Sequence, residues 1–453
     1  MIFKKLNLQN LDFKNKRLIK NTLFTFIVKG GATIISFFMM PAYMRFFENP
    51  DILGLWFTAL SILSWFLVFD LGVGNGLRNY LVKSFTDNND QDIKKYISSA
   101  YILVGAAVII ISILGYFIFS FIDWNKIFNV SKNVLTNNIL LLVVRIIFIG
   151  IMLQFLLRLI SSILMAMQKP AIPNFVGLIS NSLLLLFLLF MNSSTIERNL
   201  INLSIVNMIT TVIPLSIITL LIFSTKLKNY VPNFKFYSSI HVKNIVKLGG
   251  VFFWIQIMYL IISNTNEFLI NWLIGSRFVV DYKIYNSLFG LIGTLFILAL
   301  GPVWSEVTEA YAKSEINWIK KLYNRLFKLA LIAVFGIIVL IFSVQFIVDI
   351  WLKERAIKMD IVYSIIFAGS VIMTIWSSIL SSFIAGFGKL KIPFIYLTIG
   401  AALNILLSIL FAKFLGTWIA IILANVFSLI PYCVFQTIWL NKYFKKLENE
   451  LSM

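Results

Sequence analysis

The stretch NTLFTFIVKGGATIISFFMM, residues 21–40, is apolar over almost its whole length and holds one charged residue, Lys29. Runs of about twenty apolar residues are typical of helices that cross a lipid bilayer. The rest of the chain has the same character, since 60% of its 453 residues are hydrophobic and only 13% are charged. A soluble domain carries about twice that charged fraction. The sequence therefore predicts an all-α integral membrane protein.

Twelve apolar runs are long enough to span the membrane. The connections between them are short, so we expect no inserted soluble domain. The predicted spans are 21–44, 52–72, 97–121, 138–160, 172–192, 200–224, 248–272, 284–304, 326–348, 361–385, 392–412 and 416–439.

The distribution of lysine and arginine predicts that both termini lie in the cytoplasm. With the N-terminus inside, the cytoplasmic segments hold 26 of the 39 Lys and Arg residues, the outer loops hold 10, and three lie within spans. Cytoplasmic loops carry such an excess in membrane proteins. The net charge of +20 then follows from topology, and no nucleic-acid partner is inferred from it. The basic, amphipathic first twenty residues indicate a retained cytoplasmic segment rather than a signal peptide.

Matching motifs in the two halves indicate an internal repeat. SSILMAMQKPAIP (161–173) precedes the fifth span, and SSILSSFIAGFGKLKIP (377–393) precedes the eleventh. With six spans in each half, both halves enter the membrane in the same direction, and transporters of this kind bind substrate between the halves. The predicted organisation is a cytoplasmic segment 1–20, a first six-helix lobe 21–224, a linker 225–247, a second six-helix lobe 248–439 and a cytoplasmic tail 440–453.

Three cations inside the predicted spans are candidate substrate-binding residues. A cation near the bilayer centre costs roughly 2.5–3.5 kcal/mol on insertion scales, so it usually has a function or a partner. Lys29 shares a helix face with Thr22, Thr25, Thr33 and Ser36, which favours a cavity, although it could also extend to the cytoplasmic interface. Arg145 is a second cavity candidate, and Arg158 fits a cavity or the inner interface.

The other candidates are an ion-coupling pair and a gate. Asn264 and Glu267 lie on one face of the predicted seventh span. No basic residue lies one turn from Glu267, so its partner must be another helix, water or a proton, and such a carboxylate can carry a coupling ion. A packing role is the alternative. Asp70 and Arg78, at the inner end of the second span, are either a gating ion pair or part of a solvated turn.

The sequence contains few of the residues that catalysis and metal binding commonly use. Cys433 is the only cysteine and His241 the only histidine. An intrachain disulfide and a cysteine-based metal site are therefore excluded. We expect no cofactor, no bound metal and no enzyme activity.

The sequence resembles the O-antigen and capsule flippases of the multidrug/oligosaccharidyl-lipid/polysaccharide (MOP) exporter superfamily. The resemblance rests on MPAYMRFFENPDILGLWFTALSILSWFLVFDLGVGNGLRNYLVKSF (40–85), AMQKPAIPNFV (166–176) and NEFLINWLIGSRFVVDYKIYN (266–286). It implies two six-helix lobes and movement of an undecaprenyl-diphosphate-linked oligosaccharide across the bacterial cytoplasmic membrane by alternating access. It also implies coupling to H⁺ or Na⁺, and a polysaccharide polymerase is a possible partner.

Two other functions fit parts of the sequence. A drug or solute antiporter of the same superfamily would need more acidic residues within the first lobe. A membrane glycosyltransferase or polymerase would need a large outer loop with carboxylates or histidine for acid–base chemistry. The longest predicted outer loop, 122–137, has one acidic residue, Asp123. The flippase interpretation therefore fits best.

Overall fold

The computed structural model describes residues 13–167, 169, 171–191, 194–300, 303–312 and 314–452, with some side chains, including those of 13–26 and 67–71, left out. The described chain is all helical and contains no strand. Its α-helices are α1 Phe13–Phe46, α2 Pro50–Thr86, α3 Asp90–Ile118, α4 Trp124–Phe128, α5 Asn137–Leu157, α6 Leu159–Ala166, α7 Ala171–Phe190, α8 Ile196–Ser224, α9 Ser239–Ser263, α10 Asn266–Leu273, α11 Arg277–Leu300, α12 Val303–Ala312, α13 Ile316–Leu352, α14 Ile361–Phe387, α15 Lys391–Leu415 and α16 Ile419–Ser452.

Each of the twelve predicted spans falls on one or two of these helices. Ten helical segments in the described chain are long and apolar enough to cross a membrane. The second and seventh spans fall on α2 and on α9 with α10, whose described apolar stretches are shorter, Pro50–Phe66 and Phe253–Ser263. The prediction of an all-α membrane protein with about twelve spans is confirmed.

Helix packing repeats between the two halves. In the first half α1 packs on α7, α5 on α8 and α7 on α8. In the second half the corresponding helices do the same, with α9 on α15, α14 on α16 and α15 on α16. Pro214 and Pro431 lie inside α8 and α16, which hold the sixth and the twelfth predicted span. The two predicted six-helix lobes are therefore present as similarly packed bundles.

The lobes meet mainly through α2. This helix contacts α9, α10 and α11 of the second lobe, while α1 contacts α11. The approach is closest at Gly54, where an added Cβ would lie 1.8 Å from the carbonyl oxygen of Ser276. Phe37 of α1 also stacks on Trp351 of α13, with ring centroids 4.2 Å apart.

The predicted seventh span is not one continuous helix. It breaks at Asn264 and Thr265, between α9 and α10. The break lies in the polar run Ser263–Asn264–Thr265–Asn266, whose side chains compete for backbone hydrogen bonds. Thr265 Oγ1 donates to the carbonyl of Ile261 at 2.5 Å, which satisfies one acceptor at the end of α9. The break turns α10 toward α2 and determines where Glu267 lies.

Candidate functional site

A cavity of about 510 Å³ lies between α1 of the first lobe and five helices of the second lobe, α9, α10, α11, α14 and α16. Small-molecule sites usually have volumes of about 300–1,000 Å³. Thirteen of the 25 described lining residues are uncharged and polar, with hydroxyl or amide groups from Thr33, Ser36, Tyr259, Ser263, Asn264, Asn266, Tyr282, Asn286, Ser287, Thr294, Ser370, Thr374 and Asn425. Such a wall offers many hydrogen-bond donors and acceptors.

An ion pair between Glu267 and Lys283 stands at the cavity wall. Glu267 lies in the first turn of α10, where the helix dipole favours an acidic residue. Lys283 comes from α11, and the chain turns between the two helices at Gly275, whose φ of +145° favours glycine. The side chains of Glu267 and Lys283 are 9% and 26% exposed, so the lysine keeps access to the cavity.

First-lobe side chains hold this pair from the other side. Ser61 Oγ of α2 donates to Glu267 Oε2 at 3.3 Å and to the Asn264 carbonyl at 2.8 Å. The Phe57 ring lies 5.4 Å from Lys283 Nζ, within cation–π range. Any separation of α2 from α10 must therefore disturb the ion pair, which links the cavity to the contact between the lobes.

A chain of buried amides supports α10 from behind. Asn266 Nδ2 donates to the Tyr282 hydroxyl at 3.2 Å. The amide of Asn425 on α16 lies 3.0 Å from that of Asn266 and 2.6 Å from that of Asn404 on α15. Buried polar groups of this kind fix geometry when they are paired. The amide chain therefore ties the wall that carries Glu267 to the core of the second lobe.

The structure does not bring the three candidate cations together. Thr33 and Ser36 line the cavity, but Lys29 lies one turn before Thr33 and is exposed, outside the lining. Arg145 donates to the Tyr116 carbonyl at 3.1 Å and to Ser120 Oγ at 2.6 Å, and packs 4.1 Å from the Tyr116 ring. It thus joins α5 to α3 within the first lobe.

Arg158 and Arg78 also lie outside the described cavity lining. Arg158 stands at the junction of α5 and α6 and is half-buried. Arg78 is exposed, with Nη1 4.0 Å from Met165 Sδ. The side chain of Asp70 lies outside the described residues. The gate therefore stays a prediction.

The two coupling candidates occupy different positions. Both line the cavity, but Glu267 is buried, whereas Asn264 is exposed at the helix break and its carbonyl accepts a hydrogen bond from Ser61. A continuous helix would have placed both side chains on one face. Among the alternatives for the partner of Glu267, the structure selects another helix.

Lys283 is the site residue that sequence reasoning missed. The eighth span was expected to begin at residue 284, which leaves Lys283 in an outer loop. In the structure α11 begins at Arg277, so Lys283 is almost two turns into the helix. The charge balance of the site changes accordingly, because the charged residues of the described lining are Glu267 and Lys283. One acidic and one basic side chain therefore balance in the described lining, which does not include Lys29, Arg145 or Arg158.

The described residues contain no group of three or more His, Cys, Asp or Glu side chains that could hold a metal ion.

Known proteins share the sequence pattern and the fold of this chain. No family model matches the sequence. A protein of Yersinia pseudotuberculosis with the name "Putative O-antigen export protein" is 24% identical over 345 residues, which are 73% of this chain and 75% of that protein. Two solved structures of multidrug resistance MATE family transporters of the MOP superfamily also match. The inward-facing one has a TM-score of 0.75 at 11% identity and covers 94% of this chain and 99% of its own. The outward-facing one has a TM-score of 0.68 at 12% identity and covers 99% of both.

The chain therefore has the fold of the MOP-superfamily transporters. Its sequence is similar to that of the Yersinia export protein over about three quarters of both. The resemblance expected from the sequence is confirmed at this level.

Proposed function

We propose that the protein is a flippase for an undecaprenyl-diphosphate-linked oligosaccharide in the bacterial cytoplasmic membrane. The observation that carries this proposal is the similarity to the O-antigen export protein, together with a transporter fold along nearly the whole chain. Both similarities support the more general statement that the protein is a membrane transporter. The substrate, the coupling ion and the orientation with both termini inside are parts of the proposal.

The chemistry of the cavity suits a sugar attached to a phosphate. Hydroxyl and amide groups can exchange hydrogen bonds with sugar hydroxyls. Lys283 is the cation in the described lining, and an ammonium group binds phosphate as a point charge. Glu267 holds Lys283 in this structure, so a diphosphate must compete with a carboxylate for the same ammonium group. We therefore assign Lys283 to the diphosphate of the substrate.

Glu267 has a second role in this proposal. When the diphosphate takes Lys283, the buried carboxylate loses its counter-charge, and an uncompensated buried charge is costly. A proton or Na⁺ can then neutralise it. Ser61 connects the same carboxylate to α2, so the occupancy of the cavity is sensed at the lobe contact. Alternating access between the lobes follows as the transport mechanism we propose.

The experiment that tests the flippase function measures the lipid-linked glycan in the host. The gene is deleted, and spheroplasts are probed with an outer-face lectin or glycosidase. We expect inaccessible undecaprenyl-linked glycan to accumulate, and wild type to restore its exposure. Lys283→Met at matched membrane expression should restore little exposure, while Lys413→Met, at an exposed lysine near the end of α15, should restore it fully. Unchanged glycan exposure in the deletion strain would refute the function.

A drug or solute antiporter is the second candidate, favoured by the MATE transporters among the solved structures of this fold and by an acidic residue in the cavity. The same deletion strain separates the two functions. An antiporter predicts greater sensitivity to toxic cations and normal glycan exposure. The flippase predicts the reverse.

A further inference from the structure

The segment between α8 and α9 presents an exposed surface of mixed aromatic and basic character. Phe234 is 82% exposed, and Val231 and Tyr237 are each about half exposed. Lys228 and Lys235 are exposed beside them. We call these five residues the linker surface.

The opposite side of this segment is fixed to α3. Tyr230 donates to Asp90 at 2.5 Å, and the backbone N–H groups of Asn233 and Ser238 donate to Ser98 at 3.1 Å and Ser99 at 3.0 Å. These contacts hold the middle and the C-terminal end of the segment. The linker surface is therefore the side that faces away from the protein, and its aromatic groups are held there without a protein contact that would bury them.

Its position in the chain places it at the border of the bilayer. The preceding apolar helical segment ends at Ser224, and the next apolar stretch begins at Phe253. The first turns of α9 between them are polar and carry Lys243 and Lys247. We therefore place the segment beside the lipid headgroups, the depth at which Trp and Tyr side chains are enriched.

The charge of the segment has one sign. Residues 225–247 contain five lysines and no aspartate or glutamate. Each lysine near an anionic membrane surface raises the binding constant for that surface about fivefold. Aromatic groups add apolar contact with the acyl boundary. The lysines thus match the anionic headgroups of a phospholipid leaflet, and the exposed phenylalanine matches the acyl chains below them.

We propose that the linker surface binds the anionic phospholipid headgroups of the adjacent leaflet, with Phe234 inserted below them. The surface anchors the segment that joins the two lobes, and because that segment is fixed to α3, it anchors the first lobe. This inference does not depend on which substrate the protein carries.

The test uses the full-length protein in lipid nanodiscs with a fluorophore at Phe234→Cys. The single native cysteine, Cys433, is fully buried, so labelling is selective. Brominated phosphatidylglycerol and brominated phosphatidylcholine are compared as quenchers at equal mole fraction. We expect quenching by both lipids, and an apparent preference for phosphatidylglycerol in a titration of the two. Lys228→Ala and Lys235→Ala should each lower that preference by about fivefold.

Lys413→Ala, which also removes one exposed positive charge, is the matched control and should leave the preference unchanged. Absence of quenching by either lipid would show that the surface faces water or a protein, and would overturn the proposal. Quenching that is equal for the two lipids, or a preference that survives both lysine substitutions, would overturn the assignment to anionic headgroups.

Discussion

Removing one member of the Glu267–Lys283 pair should destabilise the protein more than removing both. Breaking a fully buried ion pair from one side costs about 3–5 kcal/mol because a charge is left without a partner. The Glu267 side chain is 9% exposed, but Lys283 is 26% exposed at the cavity. Since both side chains line the cavity, its water can screen whichever charge remains, and we expect about 2–3 kcal/mol for Glu267→Gln and for Lys283→Met.

A double-mutant cycle isolates the interaction. The variant carrying both substitutions should unfold within about 1 kcal/mol of wild type, because neither charge remains, which gives a coupling of about 3–6 kcal/mol. The assay is reversible unfolding of the purified protein in mixed detergent micelles of increasing SDS fraction. Unfolding can be followed by intrinsic fluorescence without an added label, because the protein contains 11 tryptophans.

The exposed pair Lys320–Glu448 provides the control cycle. Its nitrogen–oxygen distance is 2.7 Å, and its side chains are 45% and 33% exposed. Surface pairs contribute about 0–1 kcal/mol, so Lys320→Met and Glu448→Gln should show little coupling. Additive effects of Glu267→Gln and Lys283→Met would refute the reasoning, because they would show that the two side chains do not depend on each other.

Three further perturbations test other parts of the molecule. Gly54→Ala forces a Cβ against the Ser276 carbonyl and should cost about 1–3 kcal/mol in the same unfolding assay, whereas Gly177→Ala, with no atom within 4 Å of the new Cβ, should be neutral or stabilising. Lys29→Ala should reduce glycan exposure in spheroplasts if the lysine acts at the cavity entrance; full export would place it at the membrane interface. The hydrogen bond to Asp90 raises the pKa of Tyr230, so this linker contact is fully present at neutral pH and is lost as pH rises through the raised pKa. Limited proteolysis should therefore cleave the linker faster at alkaline pH, and Tyr230→Phe should abolish this dependence on pH.

The sequence predicted the fold well because the apolar composition of a segment decides whether it crosses the membrane. Long apolar runs must be helical in lipid, since every backbone polar group needs a partner within its own segment. The repeated motifs before the fifth and eleventh spans are also local features of the sequence, so the two halves were recognised without coordinates. A bilayer imposes nearly the same length and polarity on each span, and this leaves little freedom for the fold class.

The site was predicted only in part. Glu267 stood out because a carboxylate is expensive in a membrane helix. Its partner was missed because Lys283 lies so near the expected boundary of a span that a shift of a few residues changes it from a loop residue to a cavity residue. Arg145 was assigned to a cavity by the same cost argument, yet its guanidinium group donates to Tyr116 and Ser120, at and just beyond the end of α3.

The sequence by itself determined that the chain is helical, crosses the membrane about twelve times and is built of two similar halves. The tertiary structure decided which polar groups face one another: it broke the seventh span at Asn264, brought Lys283 to Glu267 and placed Ser61 between the lobes. The physical reason is that burial in lipid depends on the composition of one segment alone, whereas an ion pair depends on the rotation and depth of two helices. Those are set by packing between segments far apart in the chain.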